Sequence, residues 1–524
     1  MKEFWNNRTT FARILMIAGL ITGLYFGITA LKNSGLIPNK EDNSLSENKV
    51  SDLKANGAKE LDVCVVTWPG YGAGPLFNEG YKASEKSRYL TEYNLIVNFH
   101  VVDDFDASRK GFISGDYDLI WQTAGALTTE MEGMQSNGIE PVVVFQSDWS
   151  RGGDAIVARK GISNMSQLTS KSSFGGKNKV AVAPMTPSHT FLLKALEAEG
   201  KTLNDIDVIE VASAIDAADL FKAGEVDASV VWSPDDITCV ESQNGASIII
   251  STKTATNIIA DVFYAKRDWL DNNEDIVTKF MEGWFIGASE INGDINGAKD
   301  KTAHILAEGL NIPLSDAKSS MENVRFCTYG DNLNFFGLND SYKGVTGEEL
   351  YSSMAKAYNK IGYAPTSIPK WRDITNISLL ENIKLSGSNH LAEGGVTFTE
   401  ATHEDEVAEA VTTKPVSISF GSGSSTLDNN AKYIIDKEFV DIAKSFASAR
   451  IRVEGNTDNT GNYNSNKTLS EKRAQSVVNY LIEEYGFDSN RFVVVGNGPD
   501  NAVNDGVKGS NVEYRSTDFQ LLKN

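Results

Sequence analysis

LDVCVVTWPGYGAGP (Leu61–Pro75) sets a β-branched, apolar run against a turn built from Trp, Pro and Gly. The run reads as a buried strand, and the turn reads as the point where the chain leaves a sheet edge. Eight more runs of the same kind follow: 96–102, 117–122, 140–146, 154–160, 179–184, 207–212, 226–232 and 247–251. Helical patterns lie between them. HTFLLKALEAEG (His189–Gly200) is one, with Gly200 at a C-cap position. Short apolar strands alternating with helices predict an α/β fold whose parallel sheets are covered on both faces. About 320 residues is large for one such sheet, so two lobes are expected.

In an open α/β sheet the ligand sits beyond the strand ends. Here those ends share one chemistry. The first strand runs into Trp68 and Tyr71, the third reaches Thr123, and SDWSRGGDA brings Asp154. PMTPSHT supplies Thr186 and Ser188 at a helix start, and WSPDD supplies Trp232 and Asp235. Flat apolar walls, hydroxyl donors and carboxylates together suit a small-molecule cleft. Each has a plainer reading too: Trp as core, Ser188 as an N-cap, His189 as a turn or surface histidine. The cleft assignment rests on their falling on one edge of the sheet.

TWPGYGAGPLF, SRGGDAIVARKGISNMSQL, VAVAPMTPSHTFLL and AGEVDASVVWSPD, in that order and spacing, resemble ABC-transporter periplasmic substrate-binding proteins of the nitrate, taurine and alkanesulfonate group. The resemblance covers about residues 61–375. It implies the two-lobed periplasmic-binding-protein fold, with crossing strands near Gly153–Arg159 and Ile258–Lys266, closing on a small-molecule solute and served by an ABC permease. It does not fix the ligand. Aromatics with Asp154 and Asp235, against Arg151 alone, lean toward a cationic, zwitterionic or neutral solute.

The last hundred residues read differently. A strand and polar turn at 416–428 precede an amphipathic helix, then come IRVEGNTD, a second helix, RFVVVG and a final strand near 511–522, giving a β-α-β-α-β-β order. Thr468 and Glu471 have capping-box spacing, which predicts a helix start at about Leu469. Asp458 then lies in the preceding loop and Arg473 at the helix boundary. From spacing alone they are a turn aspartate and a solvated arginine as readily as a pair facing one ligand. EGNTDNTG, N-x-x-LS-x-x-RA and RFVVVGNG resemble the OmpA-like peptidoglycan-binding domain over about residues 416–522, a small α+β domain. The resemblance implies that Asp458 takes the ammonium and Arg473 a carboxylate of the diaminopimelate residue in the stem peptide, with Thr457 and Asn466 beside them. The sequence departs from that pattern at NVEYRSTDF, which keeps Arg515 but not its usual neighbour.

The N-terminus carries Ile14–Leu31, eighteen residues without a charge. As a helix it would span ~27 Å, near the thickness of a bilayer core. Lys2, Arg8 and Arg13 precede it, so a single-pass bacterial inner-membrane anchor is expected, with the bulk of the chain in the periplasm; the rival reading is a cleaved signal peptide, for which Ile28 and Ala30 make a poor cleavage site. The resulting division is 1–32 cytoplasmic stub and transmembrane anchor, 33–60 linker, 61–382 substrate-binding domain with lobe two at about 155–257, 383–415 acidic linker, and 416–524 OmpA-like domain.

A formal charge of −21 argues against nucleic acid as a partner. Cys64, Cys239 and Cys327 fit neither a disulfide scaffold nor a zinc site, and Cys64 reads as a buried thiol. Gly70–Gly74 lacks the third glycine of a dinucleotide loop, no Gly-x-Ser-x-Gly elbow occurs, and the five histidines form no triad or ligand spacing. No enzyme activity, cofactor or metal is expected. The expected function is membrane-anchored solute capture for uptake or sensing, tethered to the wall. The alternative is a structural scaffold linking inner membrane to peptidoglycan.

Overall fold

The computed structural model describes residues 44–172, 175–421, 423–511 and 514–523. The anchor expected at Ile14–Leu31 lies outside them. Among the described residues no helix is long and apolar enough to cross a membrane.

Three sheets organise the chain. The first contains β1 (Lys59–Val65), β2 (Leu95–Val101), β3 (Leu119–Thr123), β4 (Pro141–Ser150), β10 (Ala260–Lys266) and β11 (Val324–Phe326), in the order β11-β4-β10-β3-β1-β2. The second contains β5 (Asp154–Ala158), β6 (Lys179–Val182), β7 (Asp207–Glu210), β8 (Ala228–Trp232) and β9 (Ser247–Ser251), in the order β7-β6-β8-β5-β9. The third contains β12 (Thr412–Val416), β13 (Arg450–Asn456), β14 (Phe492–Gly498) and β15 (Thr517–Leu522), in the order β12-β15-β13-β14. The chain therefore leaves the first sheet after Ser150, builds the second, and returns at Ala260.

The sheets are mixed, which differs from the parallel sheets expected. β1 pairs in parallel with β2 and β3, but β10 runs antiparallel to both β3 and β4. β5 is antiparallel to β8 and β9. The reason is topological. A strand that has just crossed between lobes enters from the opposite end of the sheet, and the apolar pattern of a doubly buried strand carries no sign of direction.

The first lobe is packed around aromatic rings. Phe280 on the helix Glu274–Asn292 is fully buried and meets Tyr89, Phe99, Phe145 and Trp284 at centroid distances of 5.4–6.2 Å. The second lobe is aliphatic, built on residues such as Ile156, Val180, Leu192 and Val230.

Two segments expected to be tethers have structure. Glu47–Ala55 is a helix. The stretch before β12 lies on the body of the protein: Arg151 pairs with Glu393 at 2.6 Å, the Glu393 amide donates to Asp331, and Phe398 is buried. Its polar composition reflects contacts made through charge and backbone rather than through an apolar face. The third sheet and its helices share one apolar core with the second lobe, in which Val411, Ile418 and Phe446 join Phe191 and Leu192. The Met165 amide donates to the Val411 carbonyl, and the Thr413 amide donates to Glu199.

The long helix of the terminal domain runs from Tyr463 to Tyr485, capped by the Asn462 side chain. It begins a turn and a half before the predicted Leu469, so Thr468 is interior rather than a cap. Close backbone approach explains the longer helix. A Cβ on Gly455 of β13 would lie 2.1 Å from the Ser470 carbonyl oxygen, so helix and strand touch where only glycine fits.

Phe280→Ala should lower stability by about 3–5 kcal/mol, since the surrounding rings cannot collapse into the space. Urea denaturation of the full chain reads this directly. A loss under about 1 kcal/mol would mean that the aromatic cluster repacks.

Candidate functional site

The strand ends of the two lobes meet over a small cavity of about 20 Å³. Trp68, Trp121 and Trp232 wall it, with Asp154, Asp261 and Pro187. Local sequence places each one. Trp68 caps a 3-10 turn that begins at Pro69, so the chain turns sharply as β1 ends. Trp121 lies on β3, and Trp232 ends β8, opposite Asp154 at the start of β5. Gly153 permits the crossing: a Cβ there would lie 2.2 Å from the Trp68 ring. Asp261 near the start of β10 is paired across the ladder with Thr123 on one side and Asp148 on the other.

The carboxylates are buried and differently satisfied. Asp148 Oδ1 accepts from Trp68 Nε1 at 3.0 Å, and its Oδ2 accepts from Ser147 Oγ at 2.8 Å. Asp261 Oδ2 accepts from Tyr71 OH at 2.6 Å. Asp154 is 2% exposed, and its Oδ1 has no hydrogen-bond partner. Loss of hydration pushes Asp148 and Asp154 up to about 7. For Asp154 the neighbouring charges of Asp148 and Asp236 add to the rise. Asp261 is raised further, by burial and then by Asp148. No basic residue lines the cavity.

Of the residues expected in the cleft, Trp68, Asp154 and Trp232 line the cavity. Tyr71 is fully buried and reaches it only through Asp261. Thr123 is buried and accepts from the Ala126 amide within its own turn. Thr186 is the N-cap of the helix Pro187–Ala198, and its hydroxyl donates back to the Ala183 carbonyl. Ser188 is therefore inside the first turn and not the cap, with a buried hydroxyl that lacks a partner. Asp235 is outside the cavity, ion-paired to Lys222 at 2.7 Å, while its neighbour Asp236 is the buried one. His189 is not a surface residue: it is 2% exposed and accepts from the Met185 amide, and burial lowers its pKa to about 4. Sequence reasoning missed Asp148 and Asp261. An aspartate inside an apolar strand such as ADVFYAK (260–266) was the available signal.

A second constellation forms at the loop before the helix Tyr463–Tyr485. Asp458 is 6% exposed, and its Oδ2 accepts from Arg515 Nε at 2.7 Å and Nη2 at 2.6 Å. Burial acts to raise its pKa, but the Arg515 fork and the Thr460 amide outweigh that and hold it below the usual carboxylate range. Arg473 reaches the same region from the helix. Its Nε donates to the Ser424 carbonyl at 3.0 Å, and its guanidinium lies over the Phe420 ring at 4.9 Å. Burial and then the nearby Arg515 lower the Arg473 pKa. Asn466 Nδ2 donates to the Thr460 carbonyl at 2.8 Å and shapes the loop. Thr457 is buried, with its amide on the Gly498 carbonyl and its hydroxyl unpartnered. The direct cation on Asp458 is thus Arg515, not Arg473.

Residues 83–307 match the NMT1-like family, and residues 419–515 match the OmpA family. The chain joins an NMT1-like domain to an OmpA domain. Among curated proteins it is 35% identical over 225 residues to outer membrane porin F of Pseudomonas aeruginosa, covering 41% of this chain and 59% of that protein. It is 39% identical over 75 residues to outer membrane protein Omp38 of Acinetobacter baumannii, covering 13% of this chain and 21% of that protein. Solved structures similar to it include the aliphatic sulphonate binding protein SsuA of Escherichia coli, at 15% identity and TM-score 0.47, covering 62% of this chain and 99% of that one. The nitrate-binding protein NrtA of Synechocystis PCC 6803 is similar at 12% identity and TM-score 0.48, covering 62% and 88%.

The Asp154 geometry makes a pH prediction. With a folded-state pKa raised to about 7, the native state holds a proton that the unfolded chain gives up near pH 4. That source of stability is present at low pH and lost as pH rises through about 7. Asp154→Asn removes the dependence. Its stability relative to wild type should rise from pH 5 to pH 8 by about 3 kcal/mol, measured by urea denaturation of both proteins at each pH. A gap that does not change with pH would place Asp154 in water.

Proposed function

We propose that the protein is an envelope-tethered solute receptor, in which the two lobes close on a small molecule and the terminal domain holds peptidoglycan. The observation that carries the reading is the buried carboxyl group of Asp154, one oxygen of which has no partner, in an indole-walled cavity between two lobes. A dry, unsatisfied charge is destabilising, so its retention fits a site completed by a ligand. The match of the same segment to the NMT1-like family agrees with capture rather than catalysis. An ABC permease is the partner this implies for uptake.

In the terminal domain we assign Asp458 to an ammonium group and Arg473 to a carboxylate of diaminopimelate. Arg515 holds Asp458 ionised until the ligand arrives and offers a second fork for the same carboxylate. Thr457 and Asn466 shape the loop around them. Residues 14–31 serve as the inner-membrane anchor, with the bulk of the chain in the periplasm.

Two measurements test this. Full-length protein in detergent, titrated calorimetrically with a broad metabolite panel, should give saturable binding of at least one compound. Binding to none, with wall attachment retained, would leave the structural-scaffold role instead. Asp458→Ala and Arg473→Ala should each release the protein from purified sacculi, lowering the bound fraction at least about tenfold, as expected for losing one charge-assisted contact. Undiminished co-sedimentation of both variants would refute the wall assignment.

A further inference from the structure

We propose that the solute captured between the lobes is a small ammonium-type cation, primary or methylated. The inference rests on the receptor reading above and names its substrate class.

The walls decide the sign of the charge. Three indoles, two from lobe one and one from lobe two, enclose the cavity with Asp154 and Asp261. Asp148 stands behind Asp261 and is held by the Trp68 indole N–H. Asp236 approaches from the turn after β8. No Lys or Arg faces the space. The nearby Arg109 pairs with Glu130 at 2.8 Å and lies over the Trp121 ring at 5.7 Å, and Arg151 pairs with Glu393. A nitrate or sulfonate would meet the buried carboxyl groups of Asp154 and Asp261, with no lining cation among the described residues, whereas an ammonium meets a free oxygen on Asp154 and the indole walls of Trp68 and Trp232.

The chemistry also separates an ammonium from a metal ion. Among the described residues no group of three or more His, Cys, Asp or Glu side chains is placed to hold a metal. Indole rings offer no oxygen ligand to a hard cation, but they do offer a face to a soft, weakly hydrated one. The space of about 20 Å³ takes roughly one water-sized group. This space therefore fits the head of such a cation, and a bulkier one needs the lobes to part.

Calorimetric titration of the full chain at pH 8 with ammonium, methylammonium, tetramethylammonium and choline chlorides tests this. Sodium nitrate and sodium methanesulfonate form the anion arm, and potassium chloride controls for salt. At least one ammonium salt should bind saturably, with no binding of the anions or of potassium. Asp154→Asn and Trp232→Ala should weaken that binding at least about tenfold, and Trp232→Phe should restore most of it through its ring face. A cooperative urea unfolding transition at pH 8 checks that each variant folds. Saturable binding of nitrate or methanesulfonate, or an equal response to potassium, would overturn the cation while leaving a receptor. Binding of no probe in any arm would overturn it too, and a blank metabolite panel beside it would remove the receptor reading as well.

Discussion

Two hydrogen bonds hold the cleft together. The Trp68 indole donates to Asp148, and the Tyr71 hydroxyl donates to Asp261. Both link the loop after β1 to strands far away in sequence, β4 and β10. They fix the angle at which Trp68 faces lobe two, and they keep two acidic groups in a dry space. Asp154 receives no such help on its outer oxygen. Asp148 and Asp261 are thus satisfied from within the protein, and one oxygen of Asp154 is not. Sites of this kind trade stability for readiness to bind.

Much of the first two sheets was legible. All nine apolar runs read as strands became strands, because β-branched residues in short buried runs leave few other choices. What stayed hidden was direction and contact. Nothing in SIIIS or ADVFYAK states whether a neighbour runs parallel. Helix starts were also misread, since Thr468 and Glu471 have cap spacing in any helix that passes through them. The tether before β1 contains a helix because Glu47–Ala55 places acid first and base last, although none of its residues is buried.

The site was legible in kind and only partly in residue. Trp68, Asp154 and Trp232 announced themselves by position at strand ends. Asp235 did too, yet the first turn of its helix turns it toward Lys222 and turns Asp236 inward. One residue of helical rotation, about 100°, separates the two outcomes, and sequence spacing does not specify it. At the other end of the chain, Arg473 lies near enough to feel the charge of Asp458, but the direct pairing of Arg515 with Asp458 depends on a loop closing back that the spacing does not specify.

The terminal domain does not hang free of the two lobes. It is fused to lobe two through common aliphatic packing, whereas its Lys444 meets the helix Gly347–Lys360 by an ion pair with Glu349. Load from anything gripping that domain passes into lobe two as into a mounting plate. Any movement of lobe one against that unit would have to break polar contacts made by the helix Gly347–Lys360, such as Lys444 with Glu349 and Lys194 with Ser353.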